Sequence, residues 1–319
     1  MRTSAGMTKA YAASRDGVVT VAQLRAAGVS VRCAERAVAR GEWQRPARAT
    51  YVTHAGELEP MELARVAAAY AGQPCLVTGL VALHLLGLRW LPPLTEAHAL
   101  VPHQVRRPSS GMVQVTRTTG FEVLASWRAG GVAMAWPERA VVDASRACRS
   151  LREVRGIVLG AVADGCASAE GLREVLDAGR RNGSGVTRRV IGDAVRGCAS
   201  PPEAELVDAL VGSGRPFLVN PEVWLEGRLL GRPDVWMVGT AVGGEVDSVE
   251  RHGSAMGVTA TYDRHERFAT AGLELVHLSV ARIRGDAGEA AAHLLRRSRE
   301  AARPVPAGLV VRPLGPVLS

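Results

Sequence analysis

Two acidic motifs in the last third of the chain have a spacing that could support chemistry. Pro233-Asp234 sits inside Leu229–Val238, a mostly apolar run that reads as a strand, and Glu245-Val246-Asp247 closes a second strand from Thr240 to Asp247. Neighbouring strands would bring Asp234 and Glu245 together at one sheet edge. Carboxylate oxygens with open water positions can hold Mg²⁺, which polarises a phosphodiester and acidifies a bound water.

The elements that must position these groups follow from the flanking sequence. Pro201-Pro202 opens a helix whose acids include Glu203 and Glu205, and Gly212-Ser213-Gly214 ends it. Tyr262–Thr270 reads as a helix carrying Arg264, His265 and Arg267, capped by Gly272, and Leu273–Leu278 as a strand. Asp286 is the expected N-cap of a last helix over Ala287–Ala302. Helix, strands, helix, strand, helix is an α/β order.

A second chemistry lies at the other end. Residues 1–54 hold nine basic side chains and three acids, so they carry +6 of the net +8 of 319 residues. That asymmetry points to a polyanion partner. Lys9 is the sole lysine, so an arginine bias of the whole sequence explains Arg over Lys but not the clustering. Thr20 and Gln23 form a capping-box pattern for a helix over Val21–Ala27 that stops at Gly28, and Ser30 is the expected cap of Val31–Arg40, which stops at Gly41. On the second helix Val31, Ala34 and Val38 share an apolar face, while Arg32, Arg36 and Arg40 recur every four residues as a cationic stripe. One buried side and one Arg stripe suit insertion into the DNA major groove. Residues 42–52 would form a wing in which Arg45 and Arg48 hold phosphates. The other reading is a solvated Arg face on a protein-binding helical module.

Residues 55–184 are rich in Ala, Val, Leu and Gly, with helices expected over Glu59–Ala71 and Gly79–Gly87, Thr78 placed to cap the latter. Strands are expected near Ala97–Val101 and Met112–Thr116, with Arg117 as another possible phosphate contact, and a helix starting at Pro137. No catalytic spacing occurs here, His84 and Asp143 included, so this segment reads as scaffold or partner-binding surface. Residues 180–185 read as a linker.

The five cysteines (Cys33, Cys75, Cys148, Cys166, Cys198) are scattered without C-x-x-C spacing, consistent with buried thiols in a reducing compartment. No apolar run approaches the ~20 residues of a membrane span, and residues 1–16 lack the apolar core of a secretory signal. A cytoplasmic protein with no membrane partner is expected.

Gly17-Val18-Val19-Thr20, Ala26-Ala27-Gly28-Val29-Ser30, Gly41-Glu42-Trp43 and Thr50-Tyr51-Val52 make the N-terminal stretch resemble the winged helix of AbiEi-type antitoxins, the regulatory halves of type IV toxin–antitoxin systems. Residues 78–88 and 137–143 look like the body of the same family. Ala49 departs from the resemblance, because those wings often carry Gly there. The resemblance implies promoter binding and a cognate toxin as partner. Ser200-Pro201-Pro202-Glu203, Gly231-Arg232-Pro233-Asp234, Glu245-Val246-Asp247-Ser248, His252 and Arg264-His265-x-Arg267 make residues 190–303 resemble the PD-(D/E)XK superfamily, in its very-short-patch-repair endonuclease branch. By that resemblance Asp234 and Glu245 are metal ligands, Glu203 is the helical acid that orients the site, and Asp247 and His252 are supplementary catalytic groups. Arg264 and Arg267 would steady the DNA phosphate. The superfamily's lysine two residues after the Glu is Asp247 here, which fits both a His252-assisted nuclease and an inactive relative.

The expected fold is therefore an α+β multidomain chain: a winged helix-turn-helix over 1–54, a mixed α/β segment over 55–184 and a restriction-endonuclease-like α/β domain over 185–319. The expected function is binding of double-stranded DNA, with Mg²⁺-dependent endonuclease activity in the last domain. The alternative is a non-enzymatic AbiEi-type antitoxin and repressor with a degenerate nuclease fold.

Overall fold

The computed structural model describes residues 9–11, 14, 16–89, 91–179, 183–247, 255–300 and 304–319. The chain divides into two compact units, Met1–Ile157 with Asp164–Thr187, and Val158–Ala163 with Arg188–Ser319. Both mix helices with sheets, giving an α+β architecture with four sheets among the described residues.

The first unit begins with β1 (Val18–Thr20), α1 (Val21–Ala26), α2 (Val31–Ala39), β2 (Gln44–Ala47) and β3 (Thr50–Val52), the strands forming an antiparallel sheet in the order β1-β3-β2. The Thr20 hydroxyl accepts from Gln23 N at 3.2 Å, and Gln23 Oε1 accepts from Thr20 N at 2.8 Å, so the capping box closes as the sequence indicates. At the end of α1, Gly28 N donates to Arg25 O and Val29 N to Leu24 O, satisfying the last carbonyls. Ser30 has the extended backbone of a cap, but its hydroxyl makes no cap hydrogen bond. Ala10, Val19, Leu24, Val29, Ala34, Ala37, Trp43 and Tyr51 form one core beneath the two helices.

The unit continues through α3 (Pro60–Ala71), β4 (Leu76–Thr78), α4 (Leu80–Leu85), β5 (Ala97–Pro102), β6 (Val113–Thr118), β7 (Ser126–Ala129), β8 (Val132–Ala135), α5 (Pro137–Ala147), the start of α6 (Leu151–Ala163) and α7 (Ala169–Ala178). The five strands order as β6-β5-β4-β8-β7, with β5–β6 and β4–β8 parallel. Thr78 does not cap α4. Gly79 takes that position, and the Thr78 hydroxyl donates instead to Asp143 Oδ2 at 2.9 Å, where Arg139 Nε also donates at 2.8 Å. A buried carboxylate outcompetes a helix end for that hydroxyl because its charge strengthens the bond. Asp143 is thus spent on holding α5 to β4. His84 lies 3.1 Å from Pro92 O, as a satisfied histidine would.

The second unit holds α8 (Gly185–Val195, from Arg188 on), α9 (Pro201–Leu210), β9 (Phe217–Val219), β10 (Glu222–Leu225), β11 (Arg228–Gly231), β12 (Val235–Met237), β13 (Val242–Asp247), α10 (Ala255–Thr270), β14 (Glu274–Ser279), α11 (Val280–Gly285), α12 (Ala287–Glu300) and β15 (Leu309–Arg312). One sheet orders β14-β13-β12-β9, with β13 and β14 parallel, and the other β11-β10-β15. A bridge from Phe217 to Leu318 extends the first. The single strand expected over 229–238 is two strands in different sheets, because Pro233 has no N–H for a ladder and the chain turns there. The strand expected from Thr240 starts at Val242, since Thr240 folds back with N–H and hydroxyl on Met237 O. The reading of 180–185 as linker falls partly on 180–182, outside the described residues, and Gly185 already begins α8.

Candidate functional site

Helix α2 presents two chemically distinct faces. Ala34 and Ala37 are fully buried, flanked by partly buried Cys33 and Val38. The buried face is therefore centred between Ala34 and Ala37 rather than on Val31. Arg32, Arg36 and Arg40 all point to solvent. Among the described residues neither Arg32 nor Arg36 enters an ion pair, and Arg36 Nε donates to Arg32 O at 3.3 Å. Arg40 is different. It forms a two-pronged pair with Glu42, Nε to Oε1 at 2.9 Å and Nη2 to Oε2 at 2.8 Å, which holds the Glu42 carboxyl below its usual range and the Arg40 guanidinium above its own.

The wing is the β2–β3 hairpin, and Arg45 and Arg48 are exposed on it. Its turn places Ala49 at φ 57°, the left-handed region, at the position where the resemblance prefers Gly. The hairpin does not stand free: Met112 N donates to Pro46 O at 2.8 Å and Arg48 N to Ser110 Oγ at 3.0 Å. Gly111 makes this possible. At φ 55° an added Cβ would lie 2.1 Å from Pro46 O.

In the second unit Val235 pairs with Gly244, and Asp234, just before that pair, reaches the amide of Val246 just after Glu245, so the two carboxylates come from neighbouring inner strands rather than a sheet edge. Both are buried. Asp234 Oδ2 accepts from Val246 N at 2.6 Å, and Glu245 is paired with the Arg264 guanidinium from α10. Glu203, also buried, accepts from Ala199 N and the Ser200 hydroxyl at 2.8 Å and from Asn220 Nδ2 at 3.1 Å, while Asn220 N donates to Asp234 O. Asn220 thus links the helical acid to the Asp234 turn. Asp247 meets a residue that sequence reasoning missed: His277 Nδ1 lies 2.8 Å from its Oδ1, with the His265 ring 3.9 Å from the His277 ring. Parallel pairing of β13 with β14 causes this, a non-local fact whose trace in sequence is His277 inside the mostly apolar strand 273–278. Arg267 is exposed, and His252 lies outside the described residues.

This donor set does not fit a Mg²⁺ ion. The ion needs an octahedral shell of carboxylate and water oxygens, whereas Glu245 faces a guanidinium that would repel a dication and one Asp234 oxygen is taken by a backbone amide. Among the described residues no three His, Cys, Asp or Glu side chains converge as a metal-binding group.

Comparison with known proteins shows a similarity at the start of the chain. Residues 8–54 match the family model described as "Transcriptional regulator, AbiEi antitoxin". That match spans less than half of the chain. No curated protein matches. Among solved structures, the crystal structure of the RV2827C protein from Mycobacterium tuberculosis is similar over 62% of this chain and 78% of that one, with a TM-score of 0.39 and 18% identity. No helix among the described residues is long and apolar enough to cross a membrane.

Proposed function

We propose that this chain is a duplex-DNA-binding transcriptional regulator of the AbiEi antitoxin type, with α2 as its recognition helix. The observation that carries the reading is the division of α2 into a buried Ala34/Ala37 face and an exposed Arg32/Arg36 face, inside a winged-helix segment that matches that family's model. Arg45 and Arg48 on the wing add phosphate contacts. Fluorescence anisotropy of the full chain on its own promoter fragment, across a salt series, tests this. Each phosphate neutralised steepens the decline of log K with log salt by about 0.9. The double substitution Arg32→Ala/Arg36→Ala is expected to abolish specific binding. Binding that ignores salt, or that survives that substitution, overturns the reading. A nucleotidyltransferase-like toxin encoded beside the gene, and promoter activity that rises when the gene is deleted, would extend it to a toxin partner.

One observation favours a second reading, in which the second unit is related to restriction-type endonucleases: Asp234 accepts from the amide of Val246, the residue after Glu245, with Glu203 tied to the same turn through Asn220. Because Arg264 occupies Glu245, the domain is read as a non-cleaving relative. Incubation with supercoiled and mismatched DNA in Mg²⁺ or Mn²⁺ is expected to leave the DNA intact. Cleavage lost in Asp234→Ala and Glu245→Ala would restore the endonuclease.

A further inference from the structure

The loop between the parallel strands β5 and β6 has properties that a scaffold does not require. From Ala97 to Phe121 the sequence holds no Asp or Glu, yet includes Arg106, Arg107 and Arg117. All three are exposed, as is His103, and among the described residues none of these three arginines enters an ion pair. With no acid in the segment to offset them, these guanidinium groups make a locally positive surface, which favours an anionic partner.

The loop is also held in one shape. Tyr70 donates its hydroxyl to Pro108 O at 2.7 Å, and the Arg107 guanidinium lies 5.5 Å over the Tyr70 ring. Val115 N donates to Ser109 Oγ at 3.0 Å, and Ser110 and Val113 exchange both backbone hydrogen bonds. Its far end is the segment already described against the wing, through Ser110 to Arg48 N and Met112 N to Pro46 O. Wing and loop are therefore joined by hydrogen bonds, and each carries two exposed arginines, Arg45 and Arg48 on the first and Arg106 and Arg107 on the second.

We infer that residues 103–111, with Arg117 beside them on β6, form a second DNA-contacting element that grips the phosphate backbone flanking the site read by the winged helix. The inference rests on the proposed DNA-binding function. Backbone contacts of this kind add affinity and lengthen the footprint without reading sequence.

The test uses the full chain on two duplexes, one trimmed to the winged-helix footprint and one extended by a helical turn on each side. On the extended duplex Arg106→Gln/Arg107→Gln is expected to lower the salt slope by about 2, at about 0.9 per lost phosphate, and to shorten the nuclease footprint. On the trimmed duplex it is expected to match wild type. Arg106→Lys/Arg107→Lys keeps the charge but loses the stacking on Tyr70, so it is expected to retain the slope, which separates charge from loop integrity. An unchanged slope and footprint in the Gln variant, with binding still lost in Arg32→Ala/Arg36→Ala, overturns this inference and leaves the proposed function standing. Capture of an acidic protein in place of any effect on DNA overturns it as well. Failure of wild type to bind either duplex removes the proposed function itself.

Discussion

At the residue scale the decisive events are pairings of charge. Glu42 holds Arg40 in a two-pronged ion pair at the end of α2, which on the proposed function removes one guanidinium from phosphate contact and sets a carboxylate beside it. Glu42→Gln is therefore expected to tighten DNA binding and steepen its salt slope by about 1, measured by the same anisotropy titration. Because Arg40 depresses the Glu42 pKa, the pair persists through the ordinary carboxylate range, and its contribution is lost only as pH falls through that lowered value. The corresponding gain in affinity should thus stay flat from neutral pH down to the ordinary carboxylate range. Arg264 acts in the opposite setting. Its partner Glu245 is buried, so Arg264→Ala leaves an uncompensated charge in the interior and is expected to cost about 3 kcal/mol in chemical denaturation. If added Mg²⁺ instead stabilises Arg264→Ala to wild-type level, the site can accept a metal once the guanidinium is gone. Burial pushes the Cys75 and Cys148 thiols up to about 11, so buried Cys75 should resist iodoacetamide at neutral pH until the chain unfolds, while half-exposed Cys148 should react slowly.

At the element scale the wing holds one strained residue and a very close backbone approach. Ala49 holds a left-handed backbone, so Ala49→Gly is expected to stabilise the first unit by about 1 kcal/mol, read as a rise in Tm. Gly111→Ala should do the reverse and by more, because its Cβ would collide with the Pro46 carbonyl and part the wing from the loop. These elements differ in how far the sequence reveals them. Thr20, Gln23 and Gly28 mark the ends of α1 because capping chemistry is settled within a few residues. The apolar run 229–238 was misleading because apolar character does not say which sheet a strand joins, and two sheets share it. Val31, expected on the apolar face of α2, is only half-buried at its margin because alanines bury as readily as valines and Ala37 shares the centre with Ala34. The Asp234–Glu245 neighbourhood was legible from hairpin spacing, whereas Arg264 on Glu245 and His277 on Asp247 depend on how α10 and β14 return to β13, which spacing does not encode.

At the scale of the whole molecule, the charge asymmetry and the two units carry the functional argument. Excess positive charge lies in residues 1–54 and continues into the acid-free 97–121 segment of the same unit. The prediction at this scale is that DNA protection belongs to the first unit, so limited proteolysis with bound operator should shield sites in residues 31–52 and 103–117 while leaving those of the second unit open. The strand pairings bear on how the molecule is made. The winged-helix sheet closes within residues 18–52, whereas the sheets of the second unit await β15 and the pairing of Phe217 with Leu318. During synthesis at about 5–20 residues per second, that leaves an interval on the order of tens of seconds between the two closures. A nascent chain still on the ribosome therefore already holds the closed three-stranded sheet of residues 18–52 while its second unit has unpaired strand edges. That unit, not the winged helix, is where a chaperone or a protease would find its opening.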